Sequence, residues 1–126
     1  MSRTGPLRVL VVDDSAIMRS RILRDLSSAG LQVVGQARNG QEAAALYGTL
    51  RPDVVTMDLT MRDHDGLEGT RAILALDPSA KIVLFSIVDD PATVDEALGS
   101  GVRAFVHKGR PADLVKRLIE LGSLES

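Results

Sequence analysis

Apolar residues along the chain fall into two alternating patterns. Five short runs, 7–12, 31–37, 54–57, 81–87 and 104–107, are rich in valine and apolar on consecutive positions rather than on every second one. A strand covered on both faces reads this way, so these runs predict strands of a parallel sheet packed between helices. Between them the apolar spacing changes to three and four. Met18, Ile22, Leu26 and Ala29 make one helical stripe, stopped by Gly30. Asn39 is placed to cap a helix over 41–50, which Arg51 and Pro52 end. A third segment, 67–76, stops at Asp77-Pro78. Pro91 suits the first turn of a fourth, which carries Val94, Ala97 and Leu98 and closes near Gly99 to Gly101. Leu114, Leu118 and Leu121, with Val115 and Ile119 beside them, mark a fifth behind Pro111. Strand and helix alternate five times, an order that builds an α/β parallel sheet with right-handed crossovers and helices on both faces.

In such a sheet, ligands bind beyond the carboxyl ends of the strands. The first run ends in Asp13-Asp14, the third in Asp58, the fourth in Ser86 and the fifth in Lys108. Singly, each has an ordinary explanation: Asp14 or Ser15 as a helix cap, Asp58 as a turn residue, Lys108 as a solvated charge. Together they are harder to dismiss. Two like charges about 4 Å apart repel by roughly 4 kcal/mol at an effective dielectric near 20. Lys108 supplies one compensating charge and a divalent ion would supply the rest. Carboxylate oxygens without His or Cys select Mg²⁺ or its relatives, Mn²⁺ included, over Zn²⁺. His64 and His107 have no partner at ligand spacing and read as polar structural or surface residues.

Composition removes other classes. The 126 residues are the size of one ordinary domain, and 44% hydrophobic with 25% charged is a globular balance. A net charge of -2 and three aromatics (Tyr47, Phe85, Phe105) offer neither the basic face nor the stacking platforms of a nucleic-acid binder. Cysteine is absent, and so are thiol chemistry and disulfides. No run of about 20 apolar residues exists to insert in a membrane. The first apolar run is cut short by two aspartates, which does not suit a secretory signal. The expectation is a single domain over 1–126, with its core at 7–121, in the cytoplasm.

The motifs in sequence are Val-Leu-Val-Val-Asp-Asp-Ser ending at Ser15, followed by Met18 and Arg19; Ala-Arg-Asn-Gly-Gln-Glu-Ala at 37–43; Pro-Asp-Val-Val-Thr-Met-Asp-Leu at 52–59; Asp65-Gly66-Leu67; Ser86; Gly101; and Phe105 through Lys108. This set resembles the receiver domain of two-component response regulators, of the small stand-alone type used in chemotaxis. The resemblance implies a flavodoxin-like (βα)5 fold with strand order 2-1-3-4-5. It implies that Asp58 takes a phosphoryl group from a sensor histidine kinase. Asp13, Asp14, Asp58 and the backbone carbonyl of Thr60 would hold Mg²⁺, while Lys108 and Ser86 would each meet a phosphoryl oxygen. It further implies a switch, in which Ser86 moves and the ring of Phe105 fills the vacated space. The face of the fourth helix, fifth strand and fifth helix would then be read by a downstream partner. Such a protein catalyses only its own phosphorylation and dephosphorylation.

Four positions depart from the family pattern. Gly109 follows Lys108 where a cis proline is usual; a non-proline cis bond costs about 2.5–4 kcal/mol, so a trans bond is predicted. Ile87 replaces a small residue, and its bulk is expected to narrow access to Asp58 or restrain Ser86. Arg62 replaces a proline, which predicts a looser loop over 60–64. Val88 stands where many relatives carry a polar group, and with Thr60 this predicts slow loss of phosphate. Three other readings share the sheet: a pseudo-receiver that binds partners without being phosphorylated, a Mg²⁺ phosphohydrolase, and a flavin-binding domain. The hydrolase lacks its second acid because Thr60 occupies that place, and Asp13-Asp14 would repel a flavin phosphate. A receiver cut from a longer regulator with a DNA-binding output domain remains compatible with the sequence.

Overall fold

The computed structural model describes residues 5–62, 65–88 and 90–123. Five strands and five helices alternate: β1 Arg8–Val12, α1 Ala16–Ser28, β2 Gln32–Ala37, α2 Gly40–Leu50, β3 Val54–Met57, α3 Asp65–Leu76, β4 Ile82–Ser86, α4 Pro91–Gly99, β5 Ala104–His107 and α5 Pro111–Gly122. The strands are all parallel, in the order β2-β1-β3-β4-β5. Alternate residues of the sheet serve two cores. Leu10, Val12, Val55, Met57, Ile82 and Leu84 face Ala43, Tyr47, Ile73 and Ala97 of α2, α3 and α4. Val9, Val11, Val54, Val83, Phe85 and Val106 face Ile22 and Leu26 of α1 and Leu114 and Leu118 of α5.

Burial on both faces, expected of every strand, holds for the central β1, β3 and β4. It fails at the edges. β2 leaves Gln32 and Gln36 exposed, and only Val106 of β5 is fully buried. An edge strand has a neighbour on one side alone, and the flanking helices overlap it incompletely.

Helix ends follow local chemistry. The Ser15, Asn39 and Asp90 side chains accept from the backbone N–H groups of Met18, Glu42 and Thr93, capping α1, α2 and α4. Gly30, at φ +85°, takes the left-handed turn that closes α1. Arg51 turns left-handed at φ 46° after α2, and its carbonyl, like that of Leu50, accepts from the guanidinium of Arg8. α3 starts at Asp65, two residues before the predicted 67, because its apolar stripe begins only at Leu67. An acid and a glycine in the first turn carry no hydrophobic period.

Candidate acidic phosphoacceptor site

Because all five strands run the same way, their carboxyl ends share one edge. Each strand's hydrogen bonding runs up to the residue that matters: Asp13 N–H donates to Ala37 and Asp58 N–H to Val12, each at 3.0 Å. Carboxylate oxygens of Asp13, Asp14 and Asp58 lie within 4.8 Å of one another. Among the described residues this is the one cluster of three or more potential metal ligands. Asp13 and Asp58 are buried, and Asp14 faces solvent.

Lys108 closes the cluster. Its Nζ donates to Asp13 Oδ2 at 2.8 Å and to Asp58 Oδ2 at 3.2 Å. The remaining oxygens of these two acids are held by their own loops. Asp13 Oδ1 accepts from Ser15 N–H at 2.9 Å. Asp58 Oδ1 accepts from the N–H and hydroxyl of Thr60, at 3.0 and 2.7 Å. Arg19 reaches back from α1 and donates to the Asp13 carbonyl at 2.6 Å. The described backbone contains no cis peptide bond, so the predicted trans bond before Gly109 is present, and Lys108 nevertheless reaches both acids.

Burial pushes the Asp13 carboxyl above its usual range; the Lys108 hydrogen bond and the Ser15 N–H oppose this, and the Asp58 charge adds to it. For Lys108, burial pulls downward, but the Asp13 hydrogen bond and the charges of both acids prevail and raise it. The site thus carries more negative charge than one ammonium balances. Its oxygen-only donor set, with two acids buried, fits a hard divalent cation.

The other sequence-predicted residues are placed less centrally. Ser86, with no exposed surface, is the last residue of β4. Its Oγ accepts from Val88 N–H at a long 3.4 Å. Phe105 lies deeper in β5, opposite Leu84, half-buried against the α2/α3/α4 core. His107 pairs with Ser86 in register, and its Nδ1 accepts from Gly109 N–H at 2.9 Å. Ile87, the residue after Ser86, is 62% exposed and presents an apolar surface. Val88, with Leu59, Thr60 and Met61, lines a groove of about 470 Å³ between the β3–α3 loop and α4. In that loop Met61 is buried, 5% exposed, and Arg62 faces solvent; Asp63 and His64, part of the loop expected to be loose, lie outside the described residues.

Two contacts of the site are not among the sequence expectations. Thr60 is expected as a carbonyl ligand and as a residue that slows phosphate loss, but its hydroxyl and N–H also bind Asp58; the Asp-x-Thr spacing of a side-chain turn is the available signal. Arg19 was noted in the motif without a task, and no short-range rule points its guanidinium at the carbonyl of Asp13.

The fold and this acidic rim define a signalling module of the α/β class. The family profile for the response regulator receiver domain matches residues 9–119, and the chain belongs to that family. Among particular proteins, it is 41% identical over 112 residues to the chemotaxis protein CheY of Thermotoga maritima, covering 88% of this chain and 93% of that one. The response regulator domain of Thermotoga maritima CheB superposes with a TM-score of 0.84 at 30% identity, over 96% of this chain and 99% of that one. CheY in the CheX-CheY-BeF3-Mg²⁺ complex of Borrelia burgdorferi gives 0.87 at 28%, over 93% and 90%. No helix among the described residues is long and apolar enough to cross a membrane.

Proposed function

We propose that this chain is a phosphoacceptor response regulator, a single receiver domain over 1–126 that works in the cytoplasm. Asp58 takes a phosphoryl group from a sensor histidine kinase. The observation that carries the reading is the cluster itself: three carboxylates within 4.8 Å, two of them sharing the Lys108 ammonium.

Asp13, Asp14, Asp58 and the Thr60 carbonyl would hold Mg²⁺ or Mn²⁺. That ion would supply Lewis-acid neutralisation of the phosphoryl oxygens as they approach the acids. A carboxylate is a modest nucleophile, so the protein's task is positioning. Thr60 holds Asp58 Oδ1 by two hydrogen bonds, which leaves Oδ2, on the Lys108 side, to attack phosphorus. The oxygen–phosphorus bond forms as the phosphorus–nitrogen bond to the kinase imidazole breaks, and the imidazole leaves with that electron pair. Lys108, already poised at Oδ2, follows the charge onto a phosphoryl oxygen as a compact cation. Water later cleaves the acyl phosphate and returns the free carboxylate and inorganic phosphate. In this sense the chain catalyses only its own modification.

Phosphorylation replaces the single charge of the Asp58 carboxylate with the roughly -1.5 to -2 charges of a phosphoryl group, and adds its acceptor oxygens to the rim. Ser86 Oγ accepts only a long bond from Val88 N–H, and its O–H is the group that would donate to a phosphoryl oxygen. Ser86 then moves and Phe105 turns into the space, which alters the α4–β5–α5 face read by a downstream partner protein. The CheY similarity and the Borrelia burgdorferi complex with CheX support a protein partner over nucleic acid. The test is to titrate BeF3⁻ with Mg²⁺ and record amide NMR shifts, alongside phosphotransfer from candidate kinases. Wild type is expected to respond only with the metal present, and Asp58→Asn to remain silent. A wild type silent in both assays would make the chain a pseudo-receiver.

A further inference from the structure

We infer that Gly66 is a positioning residue for Asp58, an inference that rests on the phosphoacceptor reading. The β1–β3 ladder holds Asp58 only through its N–H, bonded to Val12. The peptide that follows leaves the strand, and its seat is the bare Cα of Gly66. A Cβ at position 66 would collide with the Asp58 carbonyl oxygen, and would stand 2.9 Å from Leu59 Cα and 3.0 Å from the Asp58 carbonyl carbon. All three are backbone atoms, so no side chain can rotate away. Restoring an ordinary separation requires a shift of about 1 Å in the peptide joining Asp58 to Leu59. That peptide carries the acceptor carboxylate on one side and leads into Thr60 on the other.

The seat itself is fixed. Asp65 accepts from Gly40 N–H, which ties the first turn of α3 to the start of α2. Thr70 Oγ1 donates to the Gly66 carbonyl at 2.8 Å in a fully buried bond. A Cβ at Gly69 would stand 2.8 Å from Gly40 Cα and 3.4 Å from Met57 Cε, touching no atom of Asp58 among its nearest neighbours. Gly69 thus reports the α2/α3 packing and a flexible contact with the Met57 side chain, and Gly66 reports packing together with the acceptor backbone.

The experiment compares Gly66→Ala with Gly69→Ala, measuring urea stability, Mg²⁺ affinity and the rate of phosphorylation by acetyl phosphate. Both lose stability. Gly66→Ala is expected to lose about 10- to 100-fold in Mg²⁺ affinity and in rate, as when a supporting contact to a metal ligand is removed. Gly69→Ala, measured where it is folded, keeps both. Equal losses in the two variants, or wild-type affinity and rate in Gly66→Ala, overturn the inference. If Gly66→Ala does not fold, Asp65→Ala carries the test, because it loosens the seat without adding an atom. It should weaken Mg²⁺ binding while folded, and unchanged binding refutes the proposal. A wild type that neither binds Mg²⁺ nor is phosphorylated refutes the functional reading instead, so the two failures are distinguishable.

Discussion

Replacing Lys108 with methionine removes the ammonium and keeps most of the side-chain volume. Asp13 Oδ2 and Asp58 Oδ2 then lose their shared partner, at 2.8 and 3.2 Å, in a pocket where both acids are buried. Carboxylate oxygens at the outer limit of the cluster, 4.8 Å, repel by about 3.5 kcal/mol per pair at an effective dielectric of about 20. Asp14 contributes less because it faces water. Breaking a buried pair by removing one partner costs about 3–5 kcal/mol by the same physics. Protonation limits the loss. Burial already raises Asp13, and removing the Lys108 hydrogen bond takes away the largest influence that lowers it. An acid whose folded pKa lies above its unfolded value contributes stability at low pH and loses it as pH rises through the folded pKa. The deficit of Lys108→Met should therefore be about 3 kcal/mol at pH near 7.5 in chelator and shrink markedly toward pH 5. Mg²⁺ should restore more stability to the variant than to wild type, since the ion would take over the counter-charge that Lys108 supplied. Urea unfolding at both pH values, with and without Mg²⁺, measures each quantity. A deficit under about 1 kcal/mol that does not change with pH would refute the charge-balance reasoning.

Other outcomes follow from single contacts. Tyr47→Phe removes the 2.6 Å bond from the buried phenol to Asp77, a loss of about 1.5–3 kcal/mol in chemical denaturation. The Tyr47 hydroxyl lowers Asp77, so that stability is present above the ordinary carboxylate range and fades as pH falls through the depressed pKa; a difference unchanged at pH 2 contradicts it. Ser15→Ala removes the cap of α1 and should cost about 1 kcal/mol in thermal stability while Mg²⁺ affinity stays put, as befits a cap rather than a ligand. With Thr60 bound to Asp58 and apolar Val88 lining the groove next to Thr60, the acyl phosphate is expected to outlast seconds in a radiolabel chase. A lifetime of mere seconds counts against the role assigned to those two side chains.

Much of this molecule could be read from short stretches. The valine runs, the cap at Asn39, the first-turn proline at Pro91, and the stops at Gly30 and Pro52 each depend on neighbours within a few residues, so a linear pattern carries them. The candidate acids and Lys108 could be found because a parallel sheet sends every strand end to one edge. Where the apolar period was silent, at Asp65-Gly66, the helix start was missed. The strand order came from family resemblance and not from periodicity, since alternation gives the crossovers but not which strands are neighbours.

Other features depend on parts of the chain that meet only after folding. Lys108 meets Asp13 across 95 positions of sequence, and its aim with a trans bond to Gly109 is set by the packing of β5 against β4. The exposure of β2, the outward stance of Ile87 and the seat of Asp58 on Gly66 have the same origin. Local chemistry chooses conformations residue by residue, whereas distances between remote groups are set by how whole layers pack; no pattern confined to one segment contains them.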